Sequence, residues 1–191
     1  MVNALMSWNR RLREKLREFI SGITVSEVWR NVDIVNSLIE RYARGGSALA
    51  ELVERVPTEL VEVALAEGEW SARQIILHIV DAEIVGAARL LMTAAQPESK
   101  LPAYAGDIWA QKLAYTKQPL EPAVALFQAL RRSTTEMLRW VPLAAWAQVG
   151  EHEEAGEITL GSLLDSHCEH AEAHMEEIAA LLKRLPATMP Q

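Results

Sequence analysis

Apolar residues recur along most of the chain at spacings of three and four, and stretches rich in proline and glycine interrupt the pattern. Alternating apolar and polar residues, which would predict strands, form no clean run. The spacing predicts four long helices, at about residues 24–56, 71–95, 119–140 and 159–185, after an amphipathic segment at residues 4–20. The sequence therefore predicts an all-α protein, a four-helix bundle with an extra N-terminal helical arm.

Capping signals mark two of these helix starts. Ser71 and Gln74 have the spacing of a capping box, and Thr159 is placed to cap the last helix. Inside the first long helix, Gly45 and Gly46 each lower helix stability by about 1 kcal/mol relative to alanine. A break or kink is expected at this pair.

The N-terminal segment carries one apolar stripe, made of Leu5, Trp8, Leu12, Leu16 and Phe19. Its other faces are rich in arginine, a pattern typical of membrane-surface helices and targeting peptides. Glu14 and Glu18 dilute that charge, so an arm packed on its own bundle or on a second subunit is the favoured interpretation. We therefore divide the chain into an arm, residues 1–24, and a bundle, residues 25–191.

Composition narrows the function. The 191 residues include 19 Lys and Arg against 26 Asp and Glu, a net charge of −7, which argues against a broad nucleic-acid-binding surface. No apolar run approaches the length needed to span a bilayer. The single cysteine, Cys168, cannot form an internal disulfide, and this fits a reducing cytoplasm. We expect a cytoplasmic protein that binds neither nucleic acid nor membrane.

Histidines lie where the last helix should be apolar. His167, His170 and His174 fall within eight residues, and His174 continues the buried seam formed by Ala171 and Ile178. Burial of an imidazole without a partner is costly. Carboxylates or water would satisfy these rings by hydrogen bonding, and a metal ion is the other solution.

His78 strengthens the metal hypothesis. It lies on the apolar face of the second long helix, between Ile75 and Ala82. If that helix neighbours the last one, His78 meets His170 and His174 inside the bundle. Three neutral imidazoles suit zinc and leave one coordination position open, although nickel, iron and copper also accept imidazole.

The remaining candidates are weaker ligands. Cys168 points away from the histidine face of the last helix, which favours a packed thiol. His167 is either a spare ligand or a hydrogen-bonded core histidine. His152 lies in an acidic loop, where a solvated side chain is the simpler interpretation.

Several short motifs occur in an ordered set. They are Gly68-Glu69-Trp70-Ser71, His78-Ile79-Val80-Asp81-Ala82-Glu83, Asp107-Ile108-Trp109-Ala110, and His170 followed by His174 and Ile178 at intervals of four. In this order and spacing, from about residue 30 to residue 183, the chain resembles the DinB-like (YfiT-related) family of metal-dependent four-helix-bundle proteins.

The resemblance implies a divalent metal, zinc or nickel foremost and iron also acceptable, held by His78, His170 and His174. The resemblance also implies a homodimer that acts on a small molecule. Some members of the family use low-molecular-weight thiols such as bacillithiol or mycothiol, so the resemblance implies such a thiol as a cosubstrate. The chain departs from the family pattern at Glu177, where an amide is common, and at Ala173, where another histidine is common.

Two functions from different classes follow. The first is a metal-dependent enzyme, a thiol-dependent S-transferase or a hydrolase, and the second is a non-catalytic metal-binding or stress-related scaffold or dimer. Asp81, His167 and Glu177 are candidates to contact the ligands from outside the metal's coordination sphere. The alternatives are that Asp81 pairs with Arg89 or is solvated, and that Glu177 is an ordinary exposed charge.

Overall fold

The computed structural model describes residues 25–64, 66 and 68–184, so the predicted arm lies outside the described residues. Five α-helices account for most of this part: α1 (Val25–Glu54), α2 (Ala72–Ala95), α3 (Gly106–Lys112), α4 (Leu120–Arg139) and α5 (Leu160–Arg184). None of the described helices has an apolar stretch that meets the length and hydropathy needed to cross a membrane.

The four long helices form the predicted four-helix bundle. Both α1 and α2 pack extensively against α4 and α5. The first two long helices therefore lie on opposite corners of the bundle, and α2 and α5, which carry His78 and the histidine row, are neighbours.

The predicted capping signals are confirmed, whereas the predicted break in α1 is absent. The Ser71 backbone N–H donates to Gln74 Oε1 at 3.0 Å, and the Gln74 N–H donates to Ser71 Oγ at 3.4 Å. The Ser162 N–H donates to Thr159 Oγ1 at 3.1 Å. Helix α1 continues through Gly45, where a Cβ atom would lie 2.2 Å from Nη1 of Arg131. The glycine makes room for a neighbouring side chain.

A small sheet forms in stretches predicted as loops. Strand β1 (Lys100–Leu101) pairs in parallel with β2 (Val149–His152), and β2 pairs antiparallel with β3 (Gly156–Thr159). The strands are two to four residues long, too short for alternation to appear in the sequence. The sheet holds the segment after β1 against α2, where β2 also packs.

The core consists of two large apolar clusters with a polar group between them, and a small third cluster of Leu77, Ala110 and Tyr115. The first cluster includes Ile76, Phe127 and Ile178, and the second includes Leu90, Leu138 and Leu164. Tyr42, Glu83 and Arg131, which we call the buried polar cluster, lie between these positions along α1, α2 and α4. Arg131 Nε donates to Glu83 Oε2 at 2.8 Å, and the exposed fractions of the two side chains are only 2% and 3%.

Candidate metal centre

Three histidines from two helices converge beside this core. His78 projects from α2, while His170 and His174 lie one turn apart on α5. The ring centroid of His78 is 5.1 Å from that of His170 and 4.8 Å from that of His174, and the two α5 rings are 4.6 Å apart. One nitrogen from each ring lies within 4.8 Å of the others. The sequence-based expectation that these three rings meet is thus observed, and metal ligation by them stays a prediction.

Contacts outside this three-histidine cluster leave one nitrogen of each ring available. His174 Nδ1 lies 3.1 Å from Glu177 Oε2, and His78 Nδ1 lies 3.4 Å from the Tyr104 hydroxyl. His170 Nε2 is buried and has no hydrogen-bond partner within the described part of the chain. A buried nitrogen without a partner is unfavourable. A cation between the rings would satisfy His170 Nε2, so the residues present fit a divalent metal ion.

The imidazoles of His78 and His170 are kept in the neutral form, which is the form that binds metal ions. Burial, followed by the neighbouring His174 and His170, lowers the pKa of His78 to about 4. Burial and His174 lower the pKa of His170 to about 4 as well. Both imidazoles are therefore neutral near pH 7, as metal coordination requires.

Close packing fixes the orientation of the His78 ring. A Cβ atom at Gly106, the first residue of α3, would lie only 2.7 Å from His78 Cε1. The Trp70 ring meets the imidazole edge at a centroid distance of 4.8 Å, and the Tyr104 ring stacks at 6.0 Å. The loop between β1 and α3 thus closes over the centre, and glycine at position 106 permits its close approach.

The three predicted outer-sphere candidates have different environments. Glu177 Oε2 contacts the ring of His174, although more than half of the Glu177 side chain is exposed. Asp81 instead accepts a hydrogen bond from the Tyr115 hydroxyl, so neither a partnership with Arg89 nor a fully solvated charge describes it. The half-buried His167 packs on Gly86, where a Cβ atom would lie 2.2 Å from its Cε1, and it does not belong to the three-histidine cluster.

The other two candidates also lie away from the centre. Cys168 is buried in the second apolar cluster, and burial raises the pKa of its thiol to about 11, which agrees with a packed thiol. His152 Nδ1 accepts the backbone N–H groups of Glu154 and Ala155 in the turn between β2 and β3.

Sequence reasoning missed Tyr104, which contacts His78 from the loop after β1. A residue in a loop follows no helical periodicity that would indicate which way it faces. The only available signal was therefore an aromatic residue in a long polar loop. Burial raises the pKa of Tyr104 to about 12. The hydroxyl thus keeps its proton near pH 7 and is available as a hydrogen-bond donor at the centre.

A family model described as DinB superfamily matches residues 41–178 of the chain. A curated relative from Oceanobacillus iheyensis, named "Putative metal-dependent hydrolase OB0782", is 24% identical over 80% of this chain and 90% of its own length. The structure of YfiT from Bacillus subtilis, described as "a probable metal-dependent hydrolase with an unusual four-helix bundle topology", superposes with a TM-score of 0.74 at 19% identity. That match covers 85% of this chain and 89% of YfiT.

A third similar structure is the mycothiol-dependent maleylpyruvate isomerase. Its TM-score is 0.62 at 12% identity, and the match covers 75% of this chain and 60% of the isomerase. At such identities, both structural matches support the bundle fold alone.

Proposed function

The chain belongs to the DinB superfamily, and on that premise we propose that it is a metal-dependent hydrolase of a small molecule, with His78, His170 and His174 as the metal ligands. One observation carries the proposal: two helices bring three imidazoles together around the buried, unpartnered Nε2 of His170. The names of the curated relatives support the same reaction class.

Three protein ligands favour a catalytic over a structural ion. A structural zinc site has four protein ligands, whereas catalytic sites have three and keep one position for water or substrate. Within the described residues, no fourth histidine, cysteine or carboxylate joins the three-histidine cluster. When bound, a divalent ion with an open position supplies a Lewis acid and lowers the pKa of water to near neutrality.

The surrounding side chains have distinct tasks in this proposal. Glu177 accepts a hydrogen bond from the Nδ1–H group of His174 and so directs the opposite nitrogen of that ring to the metal. Tyr104, which is protonated near pH 7, donates a hydrogen bond to the oxygen on which negative charge develops during hydrolysis. The loop that carries Tyr104 limits access of bulk water to the His78 side of the centre.

The first experiment is metal analysis combined with ester hydrolysis. Untagged protein is expected to bind about one divalent ion per chain and to hydrolyse p-nitrophenyl acetate in a metal-dependent manner. His174→Ala should reduce metal affinity by more than the roughly 10- to 100-fold that loss of an outer-sphere partner costs. His152→Ala, which removes an imidazole outside the centre, should bind metal as the wild type does.

Two results would contradict the proposal. Equal metal content in the wild type and His174→Ala would remove the centre. Stoichiometric metal without any metal-dependent hydrolysis, over a panel of esters and amides, would favour the non-catalytic scaffold.

Thiol-dependent transfer is a second candidate, which the likeness to a mycothiol-dependent isomerase supports. A divalent ion favours the thiolate form of a bound thiol, which is the nucleophile. The buried, protonated Cys168 does not supply this group, so the thiol would be a cosubstrate. A metal-dependent rate with a model electrophile that appears only after addition of a low-molecular-weight thiol would favour transfer over hydrolysis.

A further inference from the structure

Arg89 on α2 is a buried cation that forms no ion pair with a carboxylate of the described residues. Its exposed fraction is 8%, and its Nη2 donates to the backbone carbonyl oxygen of Pro102. Its Nε is buried and has no hydrogen-bond partner among the residues described. The contrast with Arg131 is direct, because the guanidinium of Arg131, which is even more deeply buried, bonds Glu83.

The segment that holds Arg89 also reaches the three-histidine cluster. Pro102 accepts from Arg89, and Tyr104, two residues later, lies with its hydroxyl 3.4 Å from His78 Nδ1. Two residues of extended chain span at most about 7 Å. The guanidinium therefore lies near one end of a short segment, and the candidate metal centre lies at the other.

His167 is close to the same guanidinium. The pKa of His167 is lowered to about 3, mainly by burial and next by the positive charge of Arg89. This ring packs on Gly86, one turn before Arg89 on α2, and is three residues from His170 on α5. The neutral imidazole of His167 offers no negative charge to Arg89.

Nearby carboxylates do not neutralise Arg89 by contact. Glu153 and Glu154 are exposed, and Glu153 Oε2 accepts the Ala103 N–H at 2.8 Å. Their charges raise the pKa of Arg89 less than burial lowers it. Burial of a charge without an ionic partner is unfavourable, so a buried guanidinium that forms no ion pair among the described residues points to an anionic ligand.

We propose that Arg89 binds the carboxylate of the substrate, whose reacting group lies at the three-histidine centre. The inference deepens the proposed function by naming the substrate class, a small carboxylic acid derivative. The planar guanidinium matches the geometry of a carboxylate, which can accept two parallel N–H···O hydrogen bonds.

The test uses glutarate, a dicarboxylate, and its neutral diamide glutaramide as probes of the full-length, metal-loaded protein. Glutarate is expected to shift the Arg89 Nε–Hε signal in ¹⁵N-resolved NMR spectra in a saturable way, whereas glutaramide should not. The spectrum of Arg89→Lys assigns that signal by its absence.

Calorimetry provides the matching affinities. Arg89→Gln should raise the glutarate Kd at least tenfold, and Arg132→Gln, which changes an exposed arginine on α4, should leave it within twofold of the wild type. Equal glutarate affinity in the wild type and a folded Arg89→Gln would overturn the inference. If Arg89→Gln does not fold, the absence of a saturable Arg89 shift in the wild type overturns it.

Metal analysis of the same samples separates this inference from the proposed function. Carboxylate binding that depends on Arg89 in protein without metal or hydrolysis would contradict the hydrolase and support the anion site. Metal-dependent hydrolysis without a preference for carboxylate probes, together with no shift of the Arg89 signal, would support the hydrolase and contradict the anion site.

Discussion

At the scale of single residues, the centre depends on imidazoles that stay neutral in a protein of net negative charge. Burial is the largest cause of the lowered pKa of both His78 and His170. The neighbouring His174 lowers both values further, and His170 lowers that of His78, because two adjacent cations repel. The rings lie close enough together to share one metal ion. Without the metal ion, this closeness disfavours their protonation.

This coupling predicts the pH dependence of stability in the metal-free protein. His78 has a pKa of about 4 in the folded state and about 6.5 in the unfolded state, so the unfolded state binds more protons between these values. The free energy of unfolding should fall as pH decreases from 6.5 to 4. His78→Gln should reduce that slope by up to about 1.4 kcal/mol per pH unit.

Thermal unfolding of metal-free protein between pH 4 and 7.5 measures the slope. Burial raises the pKa of Asp81, which acts in the opposite direction, so the difference between the wild type and His78→Gln isolates the histidine. His170→Gln provides a second test because the folded-state pKa of His170 is also about 4. Parallel pH profiles for the wild type and both variants would contradict the assigned environments.

The sequence identified the three ring positions because helical spacing relates residues on one face of a helix. It did not identify Tyr104 or the lack of an ion pair for Arg89 among the described residues, because both depend on how a loop crosses α2. The contact of Asp81 with Tyr115 was not among the alternatives for the same reason, since Tyr115 reaches Asp81 from the turn after α3. Periodicity predicts which residues share a face of a helix, but it does not predict the contacts that loops make.

At the scale of the elements, the buried polar cluster joins three of the four long helices. Arg131 on α4 bonds Glu83 on α2, and its Nη1 donates to the carbonyl oxygen of Tyr42 on α1 at 3.0 Å. Its guanidinium also lies over the Tyr42 ring, 4.2 Å from the centroid. Gly45 lacks the Cβ atom that would collide with this side chain, so this glycine serves packing between helices.

Removal of Glu83 should therefore destabilise the whole bundle. Glu83→Ala leaves the Arg131 guanidinium buried without its carboxylate, and loss of one partner of a buried pair costs about 3–5 kcal/mol. Chemical denaturation measures the change. Glu51→Ala on α1 is the control, because Glu51 is exposed and forms no ion pair with another described residue, and it should change stability by no more than about 0.5 kcal/mol. A similar small change for Glu83→Ala would show that the pair contributes little.

Capping residues explain why helix boundaries were predictable and strands were not. Ser71 and Thr159 act through neighbours three residues away, so their effect is visible in a short stretch of sequence. The pairing of β1 with β2 instead joins Leu101 to His152, with the whole of α3 and α4 between them in sequence. The strands exist because of this long-range pairing, which local patterns do not record.

At the scale of the whole molecule, the candidate centre links two helices that are far apart in sequence. His78 lies on α2 among residues of the first apolar cluster, and His170 and His174 lie on α5 beside Ala171 of the same cluster. A ligand shared by the three rings binds the folded chain and has no preformed site in the unfolded chain. Metal binding should therefore stabilise the bundle as a unit.

This linkage gives the final prediction. At a free metal concentration of 1,000 times Kd, binding to the native state adds about 4 kcal/mol to the free energy of unfolding. For a protein of this size, that increase corresponds to a rise in Tm of roughly 8–16 °C. Calorimetric scans of chelator-treated protein, with and without added Zn²⁺, measure the rise, which should be lost in His174→Ala and kept in His152→Ala. An equal rise in His174→Ala would mean that zinc stabilises the chain from a different site, because this substitution leaves only one histidine of the centre on α5.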